Sequence, residues 1–489
     1  MRTSIQTEKR YPVKLSETER HRLSEIAEKI LENEPTLSST DHFGARLNCG
    51  LHVKGPALIF ADQSEIALYG APESALLEYR MAVLAQAGDM LVISHGRSKS
   101  FETYLRDYLD IDHIDILTAR DQSLGGFSPL PKRCMKQEKL FKHIAKKADQ
   151  AGQLSIVPYM STGHVWVLAG QIAKQVSADI VVAGPPPRLA NRINDKLWFS
   201  YRVKEVLSQE ALSPAFAVYG PAALASVIRR LADKTEKLVI KIPNSAGSTG
   251  NLSLEASMFR GKSLNWISAR LSKMMTLLGW ADSFPLKVEI WEKPILTSPS
   301  AQIWIPHKSE SLPLIEGIFE QVIEGAEGKF IGAIKSRMPD CFQQKFAEQA
   351  MALAFLFQQL GYFGRCSLDA LVIGSDYKNA KIHWVECNGR WGGVSVPMTL
   401  VNRLFPDPLT FEIVIIQQVN NKRPKKMFQD IVDDLEDLLY CHGKTSEGVV
   451  LLTPTVFESG SGVHYMTIAK TLERAQQLSH QAMDRLVSD

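Results

Sequence analysis

The sequence has no run of about 18 apolar residues, which excludes an ordinary membrane-crossing helix. Its six cysteines (Cys49, Cys134, Cys341, Cys366, Cys387 and Cys441) are scattered, with no C-x-x-C pair. That argues against a zinc site or a disulfide framework and suits thiols kept reduced in a cytosol. The net charge is only +3, and no Lys/Arg run carries interleaved aromatics, so nucleic acid is not an expected partner. The first ten residues, M-R-T-S-I-Q-T-E-K-R, hold no apolar core, so no secretory leader is expected and a cytoplasmic location is. There is no G-x-G-x-x-G and no G-x-S-x-G. The G-K-S at Gly261 to Ser263 has Ala256 where a P-loop needs glycine. No internal repeat or low-complexity segment occurs.

What is present is a globular composition over 489 residues, 45% hydrophobic and 22% charged, enough for roughly two to four domains. Residues 16–33 predict a helix, capped by Ser16 with Glu19 and striped by Leu23, Ile26 and Ile30. Residues 56–69 predict short strands or a hairpin, followed by a helix near 73–87. Strands near 89–94, 114–117, 155–159 and 179–184 then alternate with helices near 99–109, 136–150 and 164–176, the pattern of a parallel α/β layer. The basic helix 136–150 reads as a solvated face. Gly184-Pro185-Pro186-Pro187 is a stiff break and marks a domain boundary. Beyond it, a helix is expected over 191–202, strands over 237–243, 286–292, 367–373, 381–387 and 448–453, and helices over 262–278, 342–360 and from about 469. A glycine-rich turn is expected between the last strand and the last helix. The domains read as 1–50 (helical segment), 51–190 (α/β), 191–440 and 441–489 (strand–helix cap), with a subdomain at about 215–295.

One stretch concentrates the chemistry: K-I-H-W-V-E-C-N-G-R-W-G-G-V-S, residues 381–395. Glu386, Asn388 and Arg390 stand two apart, so an extended chain turns all three to one face. A carboxylate and an amide oxygen are hard ligands suited to Mg²⁺, and an Arg beside them can hold a phosphate bidentately. A hairpin of 367–373 with 381–387 brings Asp369 within about one residue of Glu386. Asp369 lies between Leu368 and Ala370, a core-facing setting, and two facing carboxylates there invite a divalent cation. Upstream, the loop Ser245-Ala246-Gly247-Ser248-Thr249-Gly250 follows a strand carrying Lys241. Its small residues allow backbone N–H groups to converge on an anion. Lys196 is a second phosphate candidate. At the end of strand 286–292, Glu289, Trp291 and Glu292 leave two readings open: solvated acids beside a packed indole, or contacts to a nucleobase and ribose.

This order of parts, a strand with Lys, small-residue loop, helix, acidic strand end, long helix, L-D-A-L-V and V-E-C-N-G-R-W-G-G, resembles the ATP-grasp superfamily of carboxylate–amine ligases over residues 190–440. The α/β part ahead of it resembles the pre-ATP-grasp domain. Within the superfamily the chain looks most like the peptide ligases of pheganomycin-type biosynthesis. The resemblance implies an α/β (α+β) fold whose 215–295 subdomain is a nucleotide lid. It implies ATP contacted by Lys196, Lys241 and the loop 245–250, with Glu289, Trp291 and Glu292 at the adenine and ribose. It also implies one or two Mg²⁺ ions (or Mn²⁺) on Asp369, Glu386 and Asn388, with Lys241 and Arg390 stabilising the transferred phosphoryl group. In the same resemblance Arg365 and Lys335 are second-rank substrate or phosphate candidates, with a surface role equally open. The substrates implied are a small carboxylic acid and an amine, joined through an acyl phosphate; a homodimer is compatible with this. Many relatives have Pro soon after Glu-x-Asn, where this chain has Gly389, so its substrate loop is expected to differ. Two other readings stay open: a silent nucleotide-binding regulator of the same fold, and an enzyme with a non-amine acceptor.

Overall fold

The computed structural model describes residues 11–45, 47–68, 75–120, 128–245, 250–325, 328–419, 423 and 425–487. Among the described residues, three sheets carry the architecture. The first is built from β1 (Asn48–Cys49), β2 (Ala57–Phe60), β3 (Met90–Ile93), β4 (Asp115–Thr118), β5 (Gln153–Pro158) and β6 (Asp179–Val182). Its strands lie in the order β1-β6-β5-β2-β3-β4, and every pairing is parallel. Its central strands, A-L-I-F and M-L-V-I, are buried at every position, as a sheet covered on both faces requires.

The second sheet holds β7 (Ala215–Val218), β8 (Lys237–Lys241), β9 (Asn251–Glu255) and β10 (Leu286–Ile290), in the antiparallel order β7-β10-β8-β9. Helices Pro221–Ala232 and Leu264–Leu277 cover one face with Leu224, Ile228, Ile267 and Leu271.

The third sheet has nine strands: β11 (Ile295–Thr297), β12 (Pro299–Ile305), β13 (Leu314–Glu324), β14 (Lys329–Lys335), β15 (Gly364–Ile373), β16 (Lys381–Asn388), β17 (Glu412–Val419), β18 (Gly448–Leu451) and β19 (Gly462–Ala469). The helix Asp340–Gln359 packs Phe346, Ala350, Leu353 and Phe357 into the core beneath β12, β15 and β16. Gly361 follows it at φ 92°, a left-handed stop that glycine adopts without strain. The N-terminal helix Glu17–Asn33 is capped by the Ser16 hydroxyl, which accepts the Glu19 N–H, and it joins the same core through Leu23 and Ile30.

Several expectations change. Within the described part of 73–87, Ala75 is helical and Glu78–Leu84 is a tight 3₁₀ segment whose seven residues are all buried. Within 56–68 there is one short strand, β2, and no hairpin. The helix expected over 191–202 is two helices, Pro187–Asn194 and Lys196–Val206, because Asp195 caps the second through the N–H groups of Leu197 and Trp198. Helix Glu138–Ala151 is half-buried rather than solvated, seating Phe141, Ile144 and Ala148 in the core of the first sheet. The glycine-rich tail holds an unexpected strand, β19, buried along its length between β17 and β18. Segment 300–340, to which the sequence assigned no element, is mostly sheet.

Candidate active site

The hairpin of β15 and β16 sets the centre. Asp369 stands directly opposite Glu386, then the register slips so that Ala370 faces Trp384 and Val385 is the extra residue of a bulge. On a regular strand neighbours point to opposite faces; the bulge lets Val385 and Glu386 line one cavity together. The Asp369 Oδ1 accepts the Ser300 hydroxyl at 2.6 Å from the strand on the other side, and its Oδ2 accepts the Asn388 Nδ2 at 2.9 Å. Glu386 Oε2 lies 2.8 Å from Lys196 Nζ.

The two carboxylates sit in unlike states. Burial, then the Glu386 charge, pushes Asp369 up to about 7. Burial would also raise Glu386, but Lys196, followed by Arg390 and Lys241, outweighs it and holds the group below the usual range. One buried acid is balanced by a lysine while the other is short of a cation, so the pair fits a divalent ion. Asn388 is turned the other way from a metal ligand: its NH₂ faces the carboxylates and its Oδ1 accepts from Arg390. Its amide must turn over before its oxygen can join a cation. Arg390 also donates to Asn194 Oδ1, which accepts the Gly389 N–H at 3.1 Å as well. A Cβ on Gly389 would come within 3.1 Å of Ile193, so glycine lets the strand exit pass this helix end.

Two cavities, of about 170 and 190 Å³, share the Asp369–Glu386 wall. The first lies between the second sheet and β15–β16, and it brings together Lys196, Lys241, Ser245, Glu289, Trp291 and Glu292. Lys196 is buried and also donates to the Ser245 carbonyl at 2.6 Å, joining the loop to the carboxylate. Lys241 reaches Glu289 at 2.5 Å. Burial would raise Glu289, yet Lys241 and Lys287 together hold it at about 2. Glu292 accepts from Ser213 and from His383 Nδ1 (2.7 Å), both at Oε2. The Trp291 ring carries Lys237 over its face at 4.2 Å. Gly250 packs where a Cβ would lie 2.0 Å from the Ser245 hydroxyl, so only glycine fits. Ala246, Gly247, Ser248 and Thr249 lie outside the described residues.

The second cavity contains Asn388, Arg390, Ser300, Gln302 and Arg80. Arg365 and Lys335 line neither cavity. Arg365 is buried against Glu316 and Thr399, and Lys335 donates to the carbonyls of Phe411 and Pro408. Lys287, Ser300, Asn194 and Arg80 were not marked by the sequence. Lys287 could have been: it stands two before Glu289 and opposite Lys241, so the period of two puts all three on one face. The others are ordinary residues brought in from distant segments.

Among known proteins, residues 78–173 match the family model described as Pre ATP-grasp domain. No curated protein matches the sequence. The fold as a whole is the ATP-grasp fold with a pre-ATP-grasp α/β domain ahead of it. Solved structures similar to it include the ADP complex of an N5-carboxyaminoimidazole ribonucleotide synthetase (11% identity, 88% of this chain and 96% of that one, TM-score 0.53). The same enzyme from Thermus thermophilus is 12% identical over 89% of this chain and 99% of its own, with a TM-score of 0.51. Biotin carboxylase from Campylobacter jejuni, in a β-γ-ATP complex, is 13% identical over 88% and 91%, with a TM-score of 0.53. No helix among the described residues is long and apolar enough to cross a membrane.

Proposed function

We propose that this chain is an ATP-dependent carboxylate–amine ligase that makes an amide or peptide bond through an acyl phosphate and releases ADP and phosphate. The observation that carries the reading is the shared wall: a cavity rimmed by lysines and a second, polar cavity meet at Asp369 and Glu386. ATP would occupy the first, its adenine and ribose near Trp291 and Glu292 and its phosphates towards Lys196, Lys241 and the Ser245–Gly250 loop. Asp369 and Glu386, joined by Asn388 once its amide has turned, would hold Mg²⁺, which neutralises phosphoryl oxygens when bound.

The chemistry follows from leaving groups. A carboxylate is a poor acyl donor because it would have to expel oxide; phosphorylation of its oxygen creates a good leaving group. Lys196 and Lys241 orient and neutralise the phosphate chain, and Arg390, released from Asn388, offsets charge on the transferred group. An amine from the second cavity then attacks the acyl carbon, phosphate leaves, and the attacking nitrogen loses a proton. No protein nucleophile takes part. Amino acids or peptides are the substrates we assign, in keeping with the resemblance to pheganomycin-type peptide ligases. The test is ADP release from Mg·ATP with pooled acids and amines, beside Glu386→Ala. Release that needs both an acid and an amine and vanishes in the variant supports the ligase; nucleotide binding without turnover against any pool refutes it.

A further inference from the structure

Arg80 belongs to the 3₁₀ segment of the first domain, yet it lines the second cavity of the site. It is 2% exposed, and its Nε and Nη2 have no hydrogen-bond partner. No described carboxylate stands within ion-pair distance of it. Its guanidinium lies over the Tyr159 ring, 4.0 Å from the centroid, which fixes the plane of the fork without satisfying its N–H groups. The nearby His464 stays neutral under burial and then the Arg80 charge, so it adds no second positive charge there. Burying an unpaired cation is costly, so a fold that keeps one at a cavity wall needs a reason for it.

The rest of the cavity describes the missing group. Gln302 is buried and Gln417 half-buried, and each has an Oε1 without a donor. The same cavity wall includes Ile66, Phe330 and Val394. A single planar guanidinium suits a monoanionic, planar carboxylate better than a phosphate dianion. Amide oxygens suit N–H donors. The cavity's other cation, Arg390, stands beside the Asp369–Glu386 pair, where the phosphorylated carboxylate belongs.

We infer that Arg80 receives the non-reacting carboxylate of an α-amino acid or peptide, whose amino or amide N–H groups meet Gln302 and Gln417. This assignment rests on the ligase reading and names its amine substrate as an amino acid or peptide with a free C-terminus.

The test is calorimetric titration of the full chain, saturated with Mg²⁺ and a non-hydrolysable ATP analogue. The titrants are the common L-amino acids, L-alanyl-L-alanine, the C-terminal amides of each, and glycerol 3-phosphate. At least one free acid should bind about 10- to 100-fold more tightly than its amide. Arg80→Met should erase that difference, and Arg80→Lys should restore part of it. Because Met removes an unpaired buried charge, the nucleotide-free variant should melt no lower than the parent, whereas a structural arginine would lower the melting temperature. Equal binding of acid and amide, unchanged discrimination in Arg80→Met, preference for glycerol 3-phosphate, or no binding by any titrant at millimolar concentration would each overturn the assignment. Arg80 does not line the nucleotide cavity, so unchanged analogue binding certifies that a variant is folded. Since this readout needs no turnover, carboxylate-selective binding without ADP release would sink the ligase reading alone.

Discussion

Lys196→Met probes the joint on which the site depends. The ammonium is 4% exposed, 2.8 Å from the Glu386 carboxylate and 2.6 Å from the Ser245 carbonyl, so one side chain ties a helix, the loop after β8 and the edge strand β16. At that separation, and an effective dielectric near 20, the charges attract by about 6 kcal/mol before desolvation is subtracted. Removing the lysine leaves a buried carboxylate beside Asp369 with less to balance it, and the expected loss is about 3–5 kcal/mol. Glu386→Gln strands the lysine instead and should cost a similar amount. The double variant removes both charges, so its cost should fall short of the sum by about 2–3 kcal/mol. Urea unfolding of the parent, both singles and the double at pH 7 closes the cycle. A single-variant cost below about 1 kcal/mol, the value of an exposed pair, or strict additivity would refute the reasoning. The double variant should regain stability but, on the ligase reading proposed above, no ADP release.

Other outcomes follow from the same geometry. Asp369→Asn should cut Mg²⁺-dependent ADP release by about 10³-fold or more, as loss of several kcal/mol of charge stabilisation implies, while metal-free ADP binding measured by calorimetry stays close to that of the parent. Glu78 is buried, and burial raises its pKa from 4.5 to about 8, so the folded chain holds a proton that the unfolded chain has lost. Stability should therefore fall as pH rises from 4.5 to about 8, by up to about 5 kcal/mol from this group; Glu78→Gln should flatten that part of the curve in urea unfolding. Gly332→Ala should destabilise by about 1–3 kcal/mol, since its Cβ would lie 2.1 Å from the Ile415 carbonyl oxygen on the neighbouring strand; an unchanged melting curve would contradict the packing.

Legibility differed by the range over which each feature is encoded. The hairpin of Asp369 and Glu386 was readable because strand alternation is local and the connecting loop is short; the sequence placed the two acids within a residue, and they stand directly opposite. The Val385 bulge was not, since it is a property of how two strands pair, not of one strand's alternation. Lys196 was readable as a candidate, but not as an ion-pair partner of Glu386, 190 positions away. The residue type of Asn388 points to a ligand. Its amide orientation is set by Arg390, and the position of Arg390 is set by Asn194 on a separate helix.

By itself the sequence determined the alternating α/β order of the first domain and the residue types of the Lys-loop and Glu-x-Asn-x-Arg segments. These are local properties of period and side-chain type. Only the tertiary structure decided that the lysine-rimmed cavity and the polar cavity share one wall of paired acids, and that Arg80 from the first domain reaches the second cavity. Those facts arise where chain segments hundreds of residues apart pack together, and no local pattern carries them.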